Sequence, residues 1–374
     1  MGFRWRMASF TCPSRFMHIA FVLGTRPEII KLSSLIKACQ DQRIDYTLIH
    51  TNQHYSSSMD ACFFEELALP AAHFNLGVGA CPPASQVGRM LVALEPLLND
   101  LKPDHVVVQG DTNSALAGGL AASKAGFSVA HVEAGLRSFD RSMPEESNRV
   151  LLDHLASHWF CPAERQVQLL AREGIAGPGV QVTGNTGVDA TLLYAARAIR
   201  HSQVLELFGL QPGNYLLLTC HRPSNTDDLS HFSRLMSAIE HLAQQRGQVV
   251  IFPCHPRLSA AHHAILATLP SIRCCEPQGY LDTLALLQQS SLLLTDSGGL
   301  QEEAYVLGLP CMVLRNNTER PETLENGGAC LVQDISPEVL CRLAAELEGV
   351  RIPRGGALGD GLAYQHILGA LLES

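Results

Sequence analysis

Two stretches decide the fold: Val106-Val107-Val108-Gln109-Gly110-Asp111-Thr112 and, one helix later, Phe127-Ser128-Val129-Ala130-His131-Val132-Glu133-Ala134-Gly135-Leu136-Arg137. Each reads as a strand of a parallel sheet that ends on a carboxylate, Asp111 or Glu133. In an open α/β sheet, ligands bind in the crevice outside the carboxyl ends of the strands. A third acidic site, Glu145 in Met143-Pro144-Glu145-Glu146-Ser147-Asn148-Arg149, opens the helix that follows. Unpaired carboxylates on a crevice wall do nothing for a core, so this convergence points to chemistry.

Working outward, strand and helix patterns alternate throughout. Strands are expected over 19–23, 46–50, 105–109, 128–132, 159–162 and 180–183, with helices over 27–40, 114–125 and 145–157. A second series has strands over 215–219, 249–253, 291–295 and 311–314, with helices over 230–245, 281–289 and 301–307. Two consecutive series imply an α/β chain of two doubly wound, Rossmann-like parallel-sheet domains. The expected division is an N-terminal α/β domain over 17–187, a nucleotide-binding C-terminal α/β domain over 188–357, and a helix over 358–374 packing back on the first. The joint should lie near 184–190, after the turn-prone Thr183-Gly184-Asn185-Thr186-Gly187. Residues 1–16 carry Arg4, Arg6 and Arg15 but lack the apolar centre of a signal peptide, and read as a disordered extension or an over-called start codon.

Composition removes several function classes. A net charge of −9 with no basic stripe argues against nucleic acid as a partner. No apolar run approaches the ~20 residues of a membrane span. The 12 cysteines are scattered without a C-x-x-C pair, the usage of free thiols in a reducing cytosol, so a cytoplasmic protein is expected. His50/His54 and His154/His158 have an i, i+4 spacing but lack the Glu of H-E-x-x-H, so no metal is expected. Neither G-x-G-x-x-G nor G-x-x-x-x-G-K-[ST] occurs, which leaves nicotinamide, flavin and P-loop chemistry unsupported. Twin α/β domains without either motif fit a nucleotide-sugar protein with its ligand in the interdomain cleft.

The strand-to-helix turns supply candidate ligand contacts. In Gly24-Thr25-Arg26-Pro27-Glu28-Ile29-Ile30-Lys31, Arg26 stands at a helix N-terminus and Lys31 about one turn in, both able to face an anion. Leu294-Thr295-Asp296-Ser297-Gly298-Gly299-Leu300-Gln301-Glu302-Glu303 is the counterpart in the second domain. There Ser297 is a cap, Gly298 and Gly299 let backbone N–H groups approach a phosphate, and Glu303 lies one turn up, placed for ribose hydroxyls. Arg320 can add a cation to the same phosphates. His221, in Thr219-Cys220-His221-Arg222, should enter the cleft from the opposite wall, with His255 ending the next strand.

The ordered set GTRPE-x-x-K (24–31), GDT (110–112), HVEAGLR (131–137), PEE-x-NR (144–149), TGNT (183–186), HR (221–222), TDSGG-x-QEE (295–303) and TERPE (318–322) resembles the non-hydrolysing UDP-N-acetylglucosamine 2-epimerases. The resemblance runs from about Met17 to Gly361. It implies a GT-B-type two-domain fold, no organic cofactor, a homodimer, and C2 epimerisation of UDP-N-acetylglucosamine by elimination and readdition of UDP for cell-surface polysaccharides. It also implies acid/base roles for Asp111, Glu133 and Glu145, assistance to UDP departure by His221, and phosphate contacts from Arg26, Ser297, Gly298, Gly299 and Arg320, with Lys31 close by and Glu303 on the ribose. Some family members bind a second UDP-N-acetylglucosamine as activator, for which Gln53, His54, Arg222 and His255 are the candidates here. Many members read His-Arg-Arg-Glu-Asn where this chain has His221-Arg222-Pro223-Ser224-Asn225, which alters the loop behind His221. The rival readings are the same chemistry on a UDP-linked 2,3-diacetamido uronic acid, a hydrolysing epimerase, a GT-B glycosyltransferase, and a non-enzymatic nucleotide-sugar sensor.

Overall fold

Among the described residues thirteen strands form two all-parallel sheets, and their order fixes where a ligand can sit. The structure, a computed structural model, describes residues 17–53, 63–141, 143–318, 320–325, 327–350, 352 and 358–374. The expected extension over 1–16 and His54 therefore lie outside the described residues.

The first sheet comprises β1 (His18–Leu23), β2 (Asp45–His50), β3 (Phe74–Asn75), β4 (His105–Gln109), β5 (Ser128–Val132), β6 (His158–Cys161) and β7 (Val180–Val182), in the order β3-β2-β1-β4-β5-β6-β7. The second comprises β8 (Tyr215–Thr219), β9 (Val249–Pro253), β10 (Ile272–Cys275), β11 (Leu292–Thr295), β12 (Cys311–Val313) and β13 (Ala329–Leu331), in the order β10-β9-β8-β11-β12-β13. Strand order reverses between β1 and β4 in one sheet and between β8 and β11 in the other. Crossover helices leave opposite faces of the sheet at such a point, opening a crevice at the carboxyl ends. That places Gly24–Arg26 beside Gly110–Asp111, and Cys220–His221 beside Asp296–Ser297.

The central strands are apolar without interruption and fully buried, as in Ile19–Leu23 and Val106–Val108, because helices cover both faces. Three short strands, β3, β10 and β13, had no expectation from sequence. All three are edge strands, and two carry exposed residues, Phe74 and Asn75 in β3 and Arg273 and Cys274 in β10, so those two have no continuous apolar run.

The stretch expected as a joint, 184–190, is a capped helix start. Asn185 accepts a hydrogen bond from Gly187 N at 2.8 Å, and the helix runs Thr186–His201. It packs on the helices Arg26–Gln42, Tyr280–Gln289 and Gly298–Leu307, so it belongs to the wall between the sheets. Tyr194 is buried there edge-on to Tyr280 with centroids 5.9 Å apart, and its hydroxyl donates to Leu67 O at 3.1 Å. One apolar cluster consequently runs from the first sheet through this helix into the second.

The C-terminal helix Ala363–Leu372 lies on Arg26–Gln42. Its start is held by Asp189, which accepts from Ala363 N at 3.2 Å and Tyr364 N at 2.7 Å, and its end by Ser374 Oγ at 3.0 Å from His105 Nε2. The ten described cysteines are free thiols. Among the described residues no helix is long and apolar enough to cross a membrane.

Candidate active site

Between the sheets lies a cavity of about 650 Å³, lined by Arg26 and Lys31 from the first half and by His221, His255, Ser297, Gly299 and Glu303 from the second. On the second-domain wall β11 ends at Thr295, and Ser297 caps the helix Gly298–Leu307 by accepting from Leu300 N at 3.4 Å. The first turn of a helix leaves backbone N–H groups unpaired and carries the positive end of its dipole, which suits an anion. The two glycines differ. A Cβ on Gly299 would meet nothing closer than Ser297 Oγ at 3.9 Å, whereas one on Gly298 would press on the Arg320 guanidinium at 3.1 Å. The first faces open cavity; the second is backed by a cation.

One turn up, Glu303 Oε2 is buried with no hydrogen-bond partner among the described residues. Burial pushes this carboxyl up to about 7, with Arg26 and Lys31 opposing the rise. The carboxyl lines the cavity beside Tyr280, whose hydroxyl also favours its charged form, and neighbouring sugar hydroxyls can donate to it there. Its neighbour Glu302 accepts from Arg320 Nε at 2.8 Å and from Asn185 Nδ2 at 3.2 Å, so it orients Arg320.

On the same wall His221 is set by Asp296. Asp296 is fully buried, accepts from the backbone N of His221 and Arg222 at 2.9 Å each and from Asn225 Nδ2 at 3.0 Å, and lies 2.9 Å from His221 Nδ1. Burial alone would raise the Asp296 carboxyl, but His221, Arg222 and Asn225 hold it down at about 2. The imidazole is thus anchored through Nδ1 while the ring stays half-exposed to the cleft and stacks on His255, centroids 5.8 Å apart. The altered loop after His221 forms a short helix, Pro223–Thr226, that Asn225 ties to Asp296 and to Leu314 O.

The first-domain wall is built on buried carboxylates. Glu28 accepts from Gly24 N at 3.0 Å, Thr25 Oγ1 at 2.8 Å and Thr112 Oγ1 at 2.7 Å, joining the turns after β1 and β4. Gly24 itself cannot carry a side chain, since a Cβ there would fall 1.9 Å from Thr51 Oγ1. Arg26 lies over the Phe63 ring at 4.7 Å and donates to Gln278 O of the second domain at 3.3 Å.

Lys31 reaches Glu133, its Nζ 2.7 Å from both carboxylate oxygens, and Gln109 Nε2 donates to the same group. Glu133 and Glu302 hold the Lys31 amine above its ordinary value against burial. Glu133 also borders a small recess it shares with Glu302 and Arg320. Asp111 pairs with Arg149 at 2.6 Å, and Arg149 also holds Glu146 at 2.9 Å. Glu146 is consumed by Ser138 and Phe139 backbone N–H groups, which leaves Glu145 as the exposed acid of that helix's first turn.

The cavity thus collects Arg26, Lys31, His221, His255, Ser297, Gly299 and Glu303, with Glu133 directly behind Lys31 and Arg320 behind Gly298. Asp111 and Glu145 are not among its lining residues. Gln53 is buried, and its side-chain oxygen accepts from Ser114 N at 3.0 Å and Oγ at 2.7 Å, so it braces the turn after β4. Arg222 donates from Nε to Asp296 O at 2.9 Å. Sequence reasoning did not single out Asp296, Gln109 or Glu28. Asp296 carried the signal used for Asp111, an acid directly after a buried strand; Gln109 carried none, being one polar residue at the end of an apolar run.

Comparison with known proteins agrees with this geometry. A family model described as UDP-N-acetylglucosamine 2-epimerase matches residues 37–372. A UDP-N-acetylglucosamine 2-epimerase from Methanocaldococcus jannaschii is 48% identical over 325 residues, 85% of this chain and 89% of that protein. The solved structure of a UDP-GlcNAc 2-epimerase from that organism, in complex with UDP-GlcNAc and UDP, matches with a TM-score of 0.86 at 44% identity, covering 96% of this chain and 100% of that one. A UDP-2,3-diacetamido-2,3-dideoxy-D-glucuronate 2-epimerase from Pseudomonas aeruginosa is 37% identical over 319 residues, 84% of this chain and 88% of its own. With its two parallel sheets in a GT-B-like arrangement, this chain belongs to the UDP-N-acetylglucosamine 2-epimerase family.

Proposed function

We propose that the protein interconverts UDP-N-acetylglucosamine and UDP-N-acetylmannosamine by eliminating UDP to 2-acetamidoglucal and adding it back, without hydrolysis. The observation that carries this is the pairing across one cavity of an open helix N-terminus, with the buried Glu303 one turn up, and a cation–carboxylate pair, Lys31–Glu133.

The C2 proton of the sugar has no adjacent carbonyl to stabilise a carbanion, so removal and return of a proton alone is prohibitively slow. Loss of UDP from C1 together with that proton avoids the carbanion. The reaction then needs an anion site for departing UDP and carboxylates beside the sugar. Gly298 and Gly299 N–H groups, Arg320 and Arg26 are the groups around the first; Glu303 is suited to the ribose. Glu133, Asp111 and Glu145 are assigned the proton transfers. His221, fixed by Asp296, is assigned the charge on departing UDP.

Asp111 and Glu145 would enter the reacting geometry by closure of the two halves over the sugar, which also keeps the glycal from water. The same reading places the enzyme in the cytoplasm, as a homodimer, in synthesis of cell-surface polysaccharide. The Pseudomonas relative supports a second reading, the same chemistry on a diacetamido uronic acid sugar.

Incubation with UDP-N-acetylglucosamine alone tests the proposal. The expected product is UDP-N-acetylmannosamine. Free N-acetylmannosamine would indicate a hydrolysing enzyme, and no turnover would favour the modified sugar or a transferase.

A further inference from the structure

Beyond the groups facing the cavity, one buried carboxylate ties together the strand ends that carry Asp111 and Glu133. Asp153 sits in the helix Pro144–Leu155 with no exposure to solvent. Its Oδ1 is 2.7 Å from His131 Nδ1, and its Oδ2 accepts from Gly135 N at 3.2 Å and Arg137 Nη1 at 2.7 Å. Glu133 is therefore bracketed by residues two before and two after it, both held by the same side chain. The other ring nitrogen of His131 lies 2.9 Å from Gly110 O, the carbonyl immediately before Asp111. The two ring nitrogens thus face the Asp153 carboxylate on one side and the Gly110 carbonyl on the other. Arg137 closes the far side by donating to Glu173 at 2.8 and 2.6 Å.

The bracket matters because Glu133 has φ +70°, in the left-handed region that residues with a side chain seldom adopt. Such a conformation persists only where its surroundings over-determine it. Here Glu133 N and Ala134 N share the Phe160 carbonyl at 3.0 and 3.1 Å. At Gly135, φ is +79° and a Cβ would fall 2.7 Å from Gln166 O, so only glycine fits this turn. His131, Gly135 and Arg137 of the HVEAGLR motif are thereby accounted for: all three are ligands of one carboxylate.

We propose that Asp153 is a positioning residue that aims Glu133, and through His131 Asp111, at the sugar; this rests on the epimerase reading above. The left-handed turn sends the Glu133 side chain to Lys31, which lines the cavity, and release of the bracket lets the turn relax away from it. A misplacement of about 1 Å in such a group can lower turnover on the order of 10²-fold.

The test is Asp153→Asn, which keeps shape but loses the charge and one acceptor, measured for kcat, KM, calorimetric UDP affinity and melting temperature, with Glu133→Gln alongside. The expected result is a folded protein with kcat lowered about 10²-fold and UDP affinity close to that of the wild type, because none of the groups assigned to UDP is held by Asp153. A destabilised Asp153→Asn protein with unchanged kcat per folded molecule would overturn the proposal, since a purely structural role predicts that. Should Asp153→Asn not fold, His131→Gln, which spares the Asp153 bonds to Gly135 and Arg137, carries the test with the same two outcomes. Normal turnover in Glu133→Gln would instead overturn the assignment of Glu133 on which the proposal rests.

Discussion

Replacing Glu133 with glutamine is expected to lower epimerisation by roughly 10²–10⁴-fold, the range associated with loss of a general acid or base, with little change in UDP affinity. Glutamine nearly matches the shape of glutamate and can still accept from Lys31, whose Nζ is 2.7 Å from both oxygens, but it cannot accept a proton from C2. UDP affinity should survive because the anion site is assigned to the start of the helix Gly298–Leu307 in the other half. Asp111→Asn and Glu145→Gln should show the same split between turnover and affinity. Their surroundings differ: Asp111 is paired with Arg149 at 2.6 Å, while Glu145 is exposed on the first turn of its helix. Steady-state kinetics with calorimetric UDP titration checks all three. Near-normal turnover in every variant would move the chemistry to other residues.

Gly299→Val is expected to abolish UDP binding in a protein that still folds. Outside its own helix backbone, an added Cβ there meets nothing closer than Ser297 Oγ at 3.9 Å, so a side chain at this position projects into the space a ligand would enter. Valine costs a helix less than glycine does, so the fold should hold. Ser297→Ala, which removes a long 3.4 Å cap, should weaken binding only modestly. Glu303→Gln should lower affinity for UDP more than for pyrophosphate, because its part is the ribose. Titration of each variant with UDP and pyrophosphate, with circular dichroism for folding, checks the set. A folded Gly299→Val protein with normal UDP affinity would place the nucleotide elsewhere.

The parallel strands at the sheet centres were legible because burial on both faces demands unbroken apolar runs, as in Val106–Val108 and Leu292–Leu294. Edge strands such as β3 and β10 escaped notice because half-exposed pairing tolerates Asn75, Arg273 or Cys274. The helix Thr186–His201 hid behind Thr-Gly-Asn-Thr-Gly, since the residues that make turns also cap helices. At the site, a carboxylate after a strand could be read at Asp111 and Glu133, because strand ends face the crevice. Contacts across long separations could not: Lys31 meets Glu133 102 residues away, and His221 meets Asp296 75 away. Nor does local pattern disclose that His131, Gly135 and Arg137 face inward to Asp153, on a helix that begins after the motif ends.

In the proposed reaction the C2 proton leaves the sugar, and a proton returns from a protein acid, while UDP is detached. Running the reaction in D₂O and reading C2 of both epimers by NMR tests it most directly. Elimination and readdition predict one deuterium at C2 of the N-acetylmannosamine product and, as the reaction reverses, of the recovered N-acetylglucosamine substrate. Product that remains fully protiated at C2 would contradict the mechanism and require a route in which that hydrogen never exchanges with solvent.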